Sequence, residues 1–133
     1  SGLVGSEMCI RDSPFPLKFA NVAGPTQTVT FGATVFVHDF SNPARILCMK
    51  SGSNYVQWGE YEDRSSSDKC RFRLAHATDT HKSTLEYGDK ILLYNIEWPD
   101  YIAGVSNDRE WVKSRDADEA GDPVHQWILE RGH

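Results

Sequence analysis

Aromatic rings set beside carboxylates and amides are the first chemistry this sequence suggests. Trp98 stands close to Tyr94, Asp100, Asn107 and Asp108, and Trp58 immediately precedes the polar segment Gly59 to Lys69. A shallow sugar site uses these residue types, because the C–H face of a sugar stacks on an aromatic ring while its hydroxyls bond to carboxylates and amides. Catalytic groupings are harder to assemble. No serine occupies a Gly-x-Ser-x-Gly elbow, no glycine-rich phosphate loop occurs, and His38, His76, His81, His125 and His133 show no metal-ligand spacing. The loop Asp116-Ala117-Asp118-Glu119-Ala120-Gly121-Asp122 has the Asp-x-Asp start and sixth-place glycine of a calcium loop. Its twelfth place is Trp127 and no helix flanks it, so it reads as a solvated loop. No cofactor, metal or catalytic residue is expected.

These side chains must be carried by short strands. Val29, Phe31, Val35 and Val37 fall on one parity, which is the alternation of a half-buried strand. Arg45 to Met49, Tyr55 to Trp58 and Phe72 to Leu74 follow, punctuated by Asn42-Pro43 and Gly52. The plan then repeats. Tyr87-Gly88 lies 56 residues after Phe31-Gly32, and the same spacing aligns Val35 with Ile91, Val37 with Leu93, Pro43 with Pro99, Ile46 with Ile102, Tyr55 with Trp111 and Val56 with Val112. At a spacing of 55, Phe72-Arg73-Leu74 matches Trp127-Ile128-Leu129. The expected architecture is all-β, with lobes over about 29–77 and 85–131.

The repeat sorts the aromatics. Trp111 and Trp127 align with Tyr55 and Phe72 and are expected in the core, whereas Trp58 and Trp98 align with Ser114 and Asn42. A position that is aromatic in one lobe and polar in the other is not demanded by the fold, which makes Trp98 the leading candidate to meet a ligand, ranked behind edge packing or an interface with a missing lobe as the role of this ring.

Composition narrows the partners. The chain has 133 residues and a net charge of −5, with 14 Lys and Arg interspersed among 19 Asp and Glu. Nucleic acid is not an expected partner, since a phosphate backbone calls for clustered cations, and no apolar run is long enough for a membrane span. Cys48 and Cys70 are too few for a disulfide framework and read as buried small hydrophobes ahead of a single disulfide. Met8-Cys9-Ile10-Arg11-Asp12-Ser13 resembles a translated sequencing adapter, so residues 1–13 are set aside as non-native and residues 14–133 are read as one domain of a fragment.

The Tyr87-Gly88-Asp89-Lys90-Ile91-Leu92-Leu93 opening, Tyr101-Ile102, Trp111-Val112-Lys113-Ser114-Arg115-Asp116 and the closing Trp127-Ile128-Leu129 resemble one lobe of a fascin-like, MIR-like or ricin-B-like β-trefoil. The ricin-type Gln-x-Trp is absent, because Gln57-Trp58 and Gln126-Trp127 are adjacent pairs. The resemblance implies three four-stranded lobes, two of them here, with Phe15-Pro16-Leu17 matching Phe72-Arg73-Leu74 as the last strand of a truncated first lobe. A missing lobe would leave Val35, Ile91, Phe72 and Trp127 partly covered. Such domains are non-catalytic binding modules for glycans, filaments or proteases, so the expected partner is a glycan, bound in a lectin-like manner. The alternatives are a protein-interaction or protease-inhibitor trefoil and the accessory domain of an enzyme encoded upstream.

Overall fold

The computed structural model describes residues 3–4, 8–10, 17–24, 26–50, 56–109 and 111–131. Its first strands are β1 (Leu3–Val4), β2 (Met8–Ile10), β3 (Leu17–Asn21) and β4 (Thr28–Val29). Two units of like design follow. The first contains β5 (Thr34–Asp39), β6 (Arg45–Met49), β7 (Val56–Glu60) and β8 (Phe72–His76). The second contains β9 (Lys90–Asn95), β10 (Tyr101–Val105), β11 (Val112–Asp116) and β12 (Trp127–Ile128), and β13 (Glu130–Arg131) ends the order.

The fold is all-β and antiparallel, and the repeat holds strand by strand. β9, β10 and β11 begin and end at the spacing read from the sequence after β5, β6 and β7. Even the connections correspond: the one-turn helix α1 (Tyr61–Arg64) has its counterpart in the turn Ala117–Glu119, and the turn Asp68–Cys70 in Pro123–His125. Gly32 and Gly88 open the two units at φ of 94° and 93°, which other residues rarely adopt. Each glycine clasps its own unit shut. The Gly32 amide donates to the Leu74 carbonyl and the Leu74 amide to Ala33 (2.7 and 3.0 Å); Gly88 and Leu129 make the matching pair through Leu129 and Asp89 (2.8 and 2.9 Å).

Strand pairing runs β11-β10-β9-β8-β5-β3-β2-β13. β12 pairs with β9 while β13, one residue further on, pairs with β2, so the path curls back to a nearly closed barrel. Hairpins β6–β7 and β10–β11 extend from it. Inside lie Leu17, Phe19, Val35, Val37, Phe72, Leu74, Ile91, Leu93, Trp127 and Leu129, all buried. Removing a large side chain from such a core costs about 2–5 kcal/mol. No helix among the described residues is long and apolar enough to cross a membrane.

Two expectations need correcting. Val35, Ile91, Phe72 and Trp127 are fully covered rather than partly so, because the curled sheet closes over them. β3 does correspond to β8, but two residues out of the expected register: Phe19 faces Val37 as Leu74 faces Leu93, so Leu17 matches Phe72. Phe15 and Pro16 lie outside the described residues, as does Tyr55. The segment Met8–Ile10, set aside as adapter-derived, pairs with β3 and β13. Main-chain pairing is indifferent to the origin of a strand.

Cys48 and Cys70 are buried, as read, but their sulfurs are also bonded to each other. A sequence separation of 22 carried no sign of this, since pairing depends on the β6 strand and the Asp68–Cys70 turn meeting in space. The bridge lies on the outer side of β5, where Phe36, Ile46 and both cysteines form a second small core. That is why Phe36 is buried although it falls on the parity opposite to Val35 and Val37.

Candidate functional site

The feature that stands out is the turn joining β10 to β11. Val105 and Val112 are its last paired residues, and beyond them the Ser106 amide donates to the Trp111 carbonyl (2.8 Å). The Ser106 hydroxyl fixes the loop from inside. It accepts from the Trp111 amide (3.0 Å) and donates to Asp108 Oδ1 (2.5 Å). Arg109 completes the turn at φ 60°, a conformation uncommon for a residue with a side chain. Such strain concentrates where loops carry function.

Arg115 ties this turn to the body of the protein. Its Nε donates to the Val105 carbonyl (3.0 Å) and its Nη2 to Asn107 Oδ1 (2.8 Å), while Glu119 lies 3.8 Å from Nη1. Behind it, buried His125 accepts the Val105 amide on Nδ1 (3.0 Å). Gly104 makes the fit possible, since a Cβ there would stand 2.7 Å from His125 Nδ1 and 2.7 Å from Arg115 Cγ. Burial pushes the His125 pKa down and the Arg115 charge adds to this, against the opposing pull of Asp122 and Glu119. The ring is therefore held neutral, as an acceptor must be.

Out of this framework Trp111 projects with 61% of its surface exposed. With Ser106, Asn107, Asp108 and Lys113 it lines a shallow depression of about 280 Å³. Its expected place in the core is thus overturned. The signal was present in the alternation itself: Val112 is buried, and adjacent residues at a strand start point to opposite faces.

The six residues singled out from the sequence are not gathered in one place. Asn107 and Asp108 belong to the Trp111 depression. Tyr94 lines a different cleft, over β8 and β9. Trp98 and Asp100 sit in the β9–β10 turn, where the Trp98 amide donates to Asn95 Oδ1 (3.0 Å) and the Asp100 carbonyl accepts from Ala117 (2.7 Å). Trp98 and Trp58 are half-buried and both pack against the main core, with Lys69 Nζ 5.5 Å from the Trp98 ring. A polar partner in the repeat did not mean an exposed ring. Each turn is packed in its own way.

The acidic loop has a structural explanation. Asp116, Asp118 and Glu119 bring carboxylate oxygens within 4.8 Å of one another, but Asp116 and Glu119 form a reciprocal capping box, with the Asp116 amide donating to Glu119 Oε2 (3.2 Å). His76 is also engaged, its Nδ1 accepting from the Thr78 and Asp79 amides (3.1 and 2.9 Å). His38 bonds to the Pro43 carbonyl through Nδ1 (2.6 Å). The chain matches no family model and no curated protein sequence.

Proposed function

We propose that this chain is a non-catalytic carbohydrate-binding module of the β-trefoil kind, and that its ligand rests on Trp111. The trefoil reading is supported by the paired four-stranded units, the curled sheet and the two hairpins that extend from it. The binding reading is carried by one observation: a largely exposed indole beside Asp108 and Asn107, on a turn braced by Ser106 and Arg115. Stacking on the indole supplies apolar contact, and Asp108, Asn107 and Lys113 lie within reach of ring hydroxyls. Because the turn is already ordered by its own hydrogen bonds, little conformational freedom is left to lose on binding.

A glycan array followed by tryptophan-fluorescence titration tests this reading. Trp111→Ala should abolish binding while leaving the thermal transition in place. Trp98→Ala should lower the transition instead, because that ring packs against the core. An array without hits, or binding unchanged in Trp111→Ala, rejects the proposal.

A further inference from the structure

A second cleft, of about 360 Å³, lies over β8 and β9 and shares no lining residue with the Trp111 depression. Phe31 and His76 pack edge to face in it (5.3 Å between ring centroids), and Tyr94 and Leu92 add further apolar surface. Two cations and one carboxylate, Asp79, also line it; Asp79 Oδ1 accepts from the His81 amide (3.0 Å), and the cations are in different states. Lys82 is committed to the protein, with Nζ 2.7 Å from Asp89 and 2.9 Å from Glu86. Arg73 is not. Its guanidinium lies 4.6 Å from the centre of the Tyr94 ring, its residue is exposed, and among the described residues its N–H groups meet no carboxylate or carbonyl.

The repeat shows that this pair is not needed by the fold, since Ile128 and His38 occupy the equivalent places. The contact with the Tyr94 ring uses the face of the guanidinium and none of its N–H donors, and a guanidinium fork suits a planar two-oxygen acceptor. We propose that this cleft binds a carboxylate-bearing small ligand, an acidic sugar or a simple organic acid, with Arg73 taking the carboxylate and the Phe31, Leu92 and Tyr94 surface taking the rest. Thr80, also in the lining, offers a hydroxyl to an oxygen-rich ligand.

Amide NMR of the intact chain tests the assignment, with sodium glucuronate, glucose, acetate and sulfate titrated separately. Glucuronate should move the amides of Arg73, Ala75, Leu92 and Tyr94. Arg73→Gln should weaken it by about ten- to a hundredfold, and Arg73→Lys by less, since charge survives but the fork does not. If acetate moves the same amides as far, the carboxylate assignment stands and the ligand is a simple acid; if glucuronate alone does so, it is an acidic sugar. Equal response to glucose, equal or stronger response to sulfate, an unchanged affinity in Arg73→Gln, or no response at these amides overturns it. None of these readouts depends on Trp111, so failure here and failure of the lectin reading are separable.

Discussion

The two units solve one packing problem with different chemistry. In the first, Cys48 on β6 is bonded to Cys70 in the turn before β8, and Gly59 on β7 leaves room beside the sulfur. In the second, Gly104 and His125 hold the equivalent places, and Arg115 replaces Gly59. The covalent tie has become a hydrogen bond from the Val105 amide to a neutral imidazole, and the small residue has moved to the other partner. A closed loop is tethered in both cases. The difference is what the second unit gains: Arg115, with room to enter, reaches through to Asn107 and braces the turn that presents Trp111. The variation between copies thus lies where the Trp111 turn is braced, while the shared positions serve the core.

Breaking the tie in the first unit should have the largest effect. Reduction of the Cys48–Cys70 bond, or Cys70→Ala, is expected to lower unfolding free energy by about 2–4 kcal/mol, measured by denaturant melts with and without reductant. His125→Ala should cost about 1–3 kcal/mol, because it leaves the buried Val105 amide without an acceptor. It should also broaden the Ser106 to Trp111 resonances, an effect that loss of the disulfide should not produce. Gly32→Ala and Gly88→Ala should each cost about 1–3 kcal/mol through the same backbone strain, and unequal values would show that the two clasps are not equivalent after all.

The smallest effect expected is on pH dependence. Burial holds the His125 pKa below its unfolded value of about 6.5, so the unfolded chain binds more protons as the medium is acidified. Stability is complete above that value and falls as pH drops toward the folded pKa. His38 is lowered in the same way, chiefly by burial, so His125→Gln should reduce the acid-side slope without removing it. Asp89 acts in a more acidic window. Burial raises its pKa, but the hydrogen bonds from Lys82 and the Glu86 amide outweigh this and hold it down, so its contribution is lost only as the carboxylate protonates.

Much of the fold was legible because strand alternation and the spacing of Phe31-Gly32 and Tyr87-Gly88 are written in local order. Val35, Ile91, Leu93 and Trp127 lie in the core that this pattern predicts. The candidate site was half legible. Asn107 and Asp108 cluster in sequence, whereas the alignment of Trp111 with Tyr55 hides its exposure, which only the inward-facing neighbour Val112 betrays. The disulfide, the Arg115 brace and the Arg73–Tyr94 contact were not legible. Each joins residues distant in sequence or on facing strands, and depends on which elements meet across the barrel.

The glycine clasps have a consequence for assembly. Each consists only of amide and carbonyl groups, at Gly32 with Leu74 and at Gly88 with Leu129. Nothing in such a junction records which molecule supplies the other half. At high concentration two chains should therefore exchange closing strands, the Leu74 or Leu129 strand of one meeting the glycine of the other with both clasp bonds preserved, and form an interlocked pair.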